Sequence, residues 1–193
     1  MKKLLVTITL STLVTLSLQA RGGHGHRGAH HGNYNTQTNI SQTATTSSLT
    51  QQQIDDLLFM YQEEKLARDV YITLGNTWGS QVFLNIQNSE QKHQNAIKNL
   101  LVQYNLPIPV ASDEIGVFED ENLQSLYNQL ISKGEQSLKD ALEVGVLVEE
   151  TDIADLEEKM VNVPDTIKRV YNNLLQGSYR HLEAFNSNLG NTQ

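Results

Sequence analysis

From Thr50 onward, apolar side chains recur at alternating three- and four-residue intervals along four long runs, and each run is broken near its middle by charge. Spacing of this kind lines one face of a helix, whereas a strand needs strict alternation, which is nearly absent. The first run covers about 51–75, with Thr50 as N-cap and an end near Gly75-Asn76. The second covers about 80–104, opened by Ser80 and stopped before Pro107 and Pro109. Residues 105–134 form a longer connection with one short helix around Asn122–Ser132. A third helix runs over about 135–161, and a fourth follows the first-turn proline Pro164 to about Asn188, before Gly190. Short links make antiparallel neighbours of helices 1 and 2 and of 3 and 4, while the long link is able to cross the molecule. The expected class is therefore all-α, a four-helix bundle over residues 50–189.

The interruptions carry the chemistry. The inward stripes read Leu57, Met60, Glu64, Ala67, Tyr71, Leu74 on the first helix and Phe83, Ile86, Glu90, His93, Ile97, Leu100, Tyr104 on the second. The third reads Leu138, Leu142, Gly145, Glu149, Asp152, Leu156, and the fourth Ile167, Tyr171, Leu174, Ser178, His181, Phe185. Every stripe is apolar or aromatic at its ends and polar at its centre. In antiparallel packing the centres meet at one level, so Glu64, Glu90, His93, Glu149, Asp152 and His181 converge.

An unpaired buried carboxylate costs several kcal/mol, and several together repel one another. A bound cation is one ordinary remedy, and mixed carboxylates and imidazoles suit iron, manganese or zinc. Glu90-x-x-His93 puts both side chains on one face, a turn apart, so both reach a single site. One such pair arises cheaply by chance, and a single polar core residue often only sets register. Four stripes interrupted at one level, holding the only two histidines of the helical region, point to ligands instead. Glu63 and Glu150 are the substitutes if the helix phases are off, and Glu143 reads as a solvated position. Tyr71, Tyr104 and Tyr171 share the stripes, as core aromatics or as hydrogen-bonding partners of ligands.

These residues resemble the ferritin-like superfamily of rubrerythrins, bacterioferritins and di-iron carboxylate oxidases. Glu64-Lys-Leu-Ala67-Arg-Asp-Val-Tyr71 is similar to its Glu-x-x-Ala-x-x-x-Tyr element, and Glu90-Gln-Lys-His93 to its first Glu-x-x-His. The segments ALEVGVLVEETDIADLE and GSYRHLEAF look closer still to an uncharacterised bacterial and archaeal domain family of unknown function within that group. The resemblance covers about 50–188 and implies two helical hairpins around one or two metal ions. Iron is the first expectation, with manganese or zinc as alternatives, and the implied chemistry involves oxygen, peroxide or the metal ion itself. One departure stands out: Ser178-Tyr-Arg-His181 has serine where the superfamily's second Glu-x-x-His has glutamate. Asp152 is placed to supply the missing carboxylate.

Outside the helical region the chain changes character. Lys2 and Lys3 precede a 15-residue apolar run and Ala20, the pattern of a secretory signal over residues 1–20. The run is shorter than the roughly 20 residues that span a bilayer, so the expectation is cleavage and no stable membrane insertion, an uncleaved anchor being the alternative. Residues 21–49 are rich in glycine, histidine and then small polar residues, and read as a disordered arm. Its His24, His26, His30 and His31 are either a weak metal-binding tract or a soluble spacer. An exported location, periplasmic or secreted, follows. The chain has no cysteine, which excludes disulfides, thiolate metal sites and iron–sulfur clusters. A formal net charge of −8 argues against nucleic acid as a partner. Metal ions are the expected partners, and the Gln- and Asn-rich surface leaves room for a homodimer face.

Three readings follow. One is an exported ferritin-like metal protein, with oxidase or peroxide reactivity. Another is a non-catalytic metal-handling module, and the third is a structural helical bundle whose central polar residues only set register. The residues leave catalysis open.

Overall fold

A computed structural model of the chain describes residues 49–109 and 114–191. The expected signal segment and the histidine arm, as far as residue 48, lie outside the described residues. Five helices and no strands make up the described part: α1 (Gln51–Trp78), α2 (Gln81–Gln103), α3 (Glu121–Gly134), α4 (Leu138–Lys159) and α5 (Asp165–Gly190). The protein is all-α, as its periodicity requires.

The caps explain the boundaries. Thr50 accepts from the Gln53 amide while the Gln53 side chain bonds back to Thr50, a reciprocal capping box. α1 does not end at Gly75-Asn76 as its sequence suggests. Gly75 lies inside the helix because a Cβ there would sit 3.0 Å from the Phe83 Cβ, so its smallness serves close packing on α2. The stop is Gly79, left-handed at φ 60°, whose amide bonds to the Gly75 carbonyl. Asp120 caps α3 through the amides of Asn122 and Leu123, and Ser137 caps α4 through Asp140. Pro164 stands immediately before α5, one position ahead of the first turn.

Contacts between named residues give the helix directions. Arg68 meets Gln91 and Gln94 while Gly75 meets Phe83, so α1 and α2 run antiparallel. Asp152 meets Ser178 and Gly145 meets Phe185, so α4 and α5 do the same. α1 also packs on α4 and α2 on α5, and α3 lies within the long α2-to-α4 link and packs on α4 and α1.

Two apolar clusters form the core. One holds Tyr71, Leu74, Phe83, Leu142 and Phe185. The other holds Leu57, Met60, Ile97, Leu100, Leu156, Tyr171 and Leu174. Between them lies a buried polar belt with Glu64, Glu90, His93, Glu149, Asp152, Ser178 and His181.

A second buried polar group braces the link. Lys65 Nζ lies 2.5 Å from Asp69 Oδ2 and donates to the carbonyls of Glu114 and Val117. Asp69 in turn accepts from Arg68 and from the Gly116 amide. The link backbone is thus tied to α1 by charge-assisted bonds. Among the described residues, no helix is long and apolar enough to cross a membrane.

Candidate metal centre

Each of the four long helices sends side chains into the belt. On α2, Glu90 and His93 are one turn apart, and so are Glu149 and Asp152 on α4 and Ser178 and His181 on α5, while α1 contributes Glu64. All seven are buried.

Two groups of residues that could hold a metal ion result. Glu64, Glu90 and His93 bring one donor atom each to within 4.8 Å of one another, and so do Glu90, Glu149 and His181. Glu90 belongs to both. His93 Nδ1 lies 3.0 Å from Glu90 Oε2 and 3.4 Å from Glu64 Oε2. On the other side His181 Nδ1 lies 2.7 Å from Glu90 Oε1 and 3.6 Å from Glu149 Oε2. The two imidazoles stack with centroids 5.5 Å apart, each presenting Nδ1 to the carboxylates. Asp152 stands outside both groups. Its Oδ2 accepts from Ser178 Oγ at 2.5 Å, so the serine holds a carboxylate rather than replacing one.

Supporting contacts fix these orientations. The Tyr71 hydroxyl donates to Glu149 Oε1 at 2.7 Å, and its ring packs against Phe83 and Phe185. Gly177 passes so close to His93 that a Cβ would sit 2.5 Å from Nε2. Only glycine leaves the ring room to turn Nδ1 inward.

The electrostatics are unbalanced as they stand. Burial lifts Glu149 to about 8, with the Glu90 charge adding to it. Burial likewise lifts Asp152 to about 7 against the Ser178 hydrogen bond, and pushes Glu64 and Glu63 well above the carboxylate range. Glu90 goes the other way: burial raises it, but His181 and His93 overcome that and bring it down to about 2. Burial lowers both histidines, yet the neighbouring carboxylates win, raising His93 and taking His181 to about 9.

Several buried polar atoms also lack a hydrogen bond among the described residues: Glu64 Oε1, Glu90 Oε1, Asp152 Oδ1 and His181 Nδ1. The close His181–Glu90 approach is misdirected for a hydrogen bond, so both atoms stay without one. Buried oxygens and a ring nitrogen without hydrogen bonds are what a divalent cation satisfies. The donor set therefore fits such an ion.

The structure brings Glu64, Glu90, His93, Glu149 and His181 together, with Asp152 beside them. Glu150 is exposed, and Glu143 is half-exposed in an ion pair with Lys133, so neither joins the centre. Tyr104 is half-buried at the end of α2, while Tyr171 is buried in the second apolar cluster. Glu63 is buried together with Glu64 rather than instead of it, because α1 packs on both α2 and α4. Sequence periodicity also missed the Lys65–Asp69 group. Opposite charges four residues apart usually mark a solvated face.

Residues 53–192 match a domain family described as an uncharacterized protein domain, DUF2202. The chain is 49% identical over 145 residues to the uncharacterized protein MJ0754 of Methanocaldococcus jannaschii, spanning 74% of this chain and 78% of the archaeal one. The crystal structure of the hypothetical protein MJ0754 is similar with a TM-score of 0.73 at 47% identity, covering 75% of this chain and 83% of that one.

Proposed function

The chain belongs to the DUF2202 family, and from its buried belt we propose that it is an exported ferritin-like metal-binding protein. In this reading α1, α2, α4 and α5 are a ferritin-like four-helix bundle whose centre holds two ions. Iron is the preferred metal, with manganese or zinc as alternatives. The observation that carries the proposal is the membership of Glu90 in both ligand groups. A carboxylate with one oxygen toward His93 and the other toward His181 is suited to lie between two cations.

Iron or manganese at such a centre supplies redox chemistry toward dioxygen or peroxide. The protein's own part is positioning and exclusion. His93 and His181 present Nδ1, Glu64 and Glu149 close the two outer sides, and Tyr71 holds Glu149 in place. The apolar clusters above and below the belt keep bulk water out. With no cysteine in the chain, electrons have to come from outside.

Ser178 favours a second reading, a module that holds and passes on metal without catalysis. Serine stands where the superfamily pattern has glutamate, and it ties up Asp152. Elemental analysis separates the readings, using the chain with His24, His26, His30 and His31 replaced by asparagine so that only the helical region reports. About two iron or manganese ions per chain, lost in Glu90→Ala/His93→Ala, is the expected result. A single zinc ion would favour the handling role. No metal after reconstitution, or equal metal in the double variant, would overturn both and leave the belt as a register device.

A further inference from the structure

The ligand groups use only part of the buried charge. On α1, Asp56 and Glu63 are seven residues apart, two turns along one face; on α4, Asp152, Asp155 and Lys159 follow at the same helical spacing. The two strips face each other. Glu63 feels the charges of Asp152 and Asp155 and lies within hydrogen-bonding reach of Asp155, while Asp152 in turn acts on Glu64 and His93 of the centre. The result is a row of carboxylates from a half-buried outer end, Asp155 and Asp56, through Glu63 and Asp152 to the centre.

Two buried atoms in this row have no hydrogen-bond partner among the described residues. Glu63 Oε2 is one, on a side chain 6% exposed, and Asp152 Oδ1 is the other, on a residue 5% exposed. Buried acid oxygens without a hydrogen bond are costly to the fold, and a visiting cation satisfies them. The outer end already holds a cation of the protein's own. Lys159 Nζ lies 2.5 Å from Asp155 Oδ1 and 4.6 Å from the centroid of the Phe59 ring, and its charge also reaches Glu63 and Asp56.

We propose that Glu63 and Asp155 form an intake station between α1 and α4, where a hydrated divalent cation pauses on its way to the centre, and that Lys159 is a tethered plug the ion displaces. The inference rests on the metal-binding reading above and adds the route and its latch. A lysine ammonium satisfies Asp155 without being able to travel inward, because its stem is anchored on α4. An incoming divalent ion carries twice the charge, exchanges with the ammonium at Asp155, and passes to Glu63 and then Asp152, shedding water at each carboxylate. Lys159 then swings back.

The test follows Co²⁺ uptake by stopped-flow absorbance, in the full chain carrying asparagine at the four arm histidines. Lys159→Met should speed uptake severalfold, and Glu63→Gln and Asp155→Asn should each slow it, on the order of tenfold, with the final Co²⁺ content unchanged in all three. The double variant Lys159→Met/Asp155→Asn controls for a latch variant that is merely loosened, since it keeps the fast fold change only if Asp155 has no role. Wild-type rates in the three single variants, with normal final content, would sink the intake route and leave the metal centre standing. Absence of Co²⁺ binding in the parent chain, or binding that survives Glu90→Ala/His93→Ala, would sink the metal reading itself.

Discussion

Glu149 and Asp152 keep their protons at pH values where an exposed carboxylate has lost them, and His181 keeps its proton where an exposed imidazole has not. Each of these groups binds protons more tightly in the metal-free folded chain than in the unfolded one. For the carboxylates the ordinary values are 4.5 and 3.8, against about 8 and about 7 when folded. The unfolded chain therefore sheds those protons first, and stability falls as pH rises through that window. His181 moves from 6.5 to about 9, so the stability it contributes below 6.5 is also lost on going to 9. Glu90, down from 4.5 to about 2, acts oppositely and loses its contribution only as pH falls toward 2. The metal-free protein should thus be most stable near pH 4, where the Glu90 window closes and those of Asp152 and Glu149 open, and weaken toward 9, read as the urea midpoint in the presence of a chelator. A midpoint that rises steadily from 5 to 9 would show that the buried carboxylates are not protonated. These residues were readable in the sequence because each breaks an apolar stripe at a known phase. Their division into two groups around Glu90 was not, since it depends on which oxygen of one carboxylate turns toward which helix.

Helix α1 buries two polar faces, and only one of them was legible. Glu64 falls on the apolar stripe, so its burial follows from the period; Lys65 and Asp69 fall off it and look like a surface pair. They are buried because the α2-to-α4 link folds over them, with Gly116 and the carbonyls of Glu114 and Val117 as partners. Contacts over about 50 residues of chain leave no periodic trace. The same lesson holds at the end of α1, where Gly75 reads as a stop and instead makes room for Phe83. Asp69 gathers three donors, from Lys65, Arg68 and the Gly116 amide, whereas Lys65 is one donor among them. Asp69→Ala should accordingly cost about 3–5 kcal/mol in urea unfolding, because it leaves the buried Lys65 without its counter-ion and the Gly116 amide without its acceptor. Lys65→Met should cost clearly less, as Arg68 and Gly116 still satisfy the aspartate. Equal losses in the two variants would mean that the pair alone matters and the brace on the link does not.

In the whole molecule, two apolar clusters are separated by a charged belt, and ions bound there would join what the belt divides. Saturating metal at about a hundred times its dissociation constant adds roughly 2.7 kcal/mol per site, or on the order of 5–10 °C in melting temperature for a domain of this size. A chelator should remove that increment reversibly, and Glu90→Ala/His93→Ala should melt at one temperature with or without metal. An unmoved melting temperature in the parent chain would instead favour the register reading. The position of the belt has a further result. Sliding any one helix by a turn, about 5.4 Å, would drive its polar centre into an apolar cluster; on α5 it would pull Leu174 or Phe185 into the carboxylates. The belt works like the notch of a key, admitting one vertical alignment of four rods. Turns can therefore be grafted onto or trimmed from the outer ends of these helices one at a time, but an insertion between an end and the belt has to be made on all of them at once.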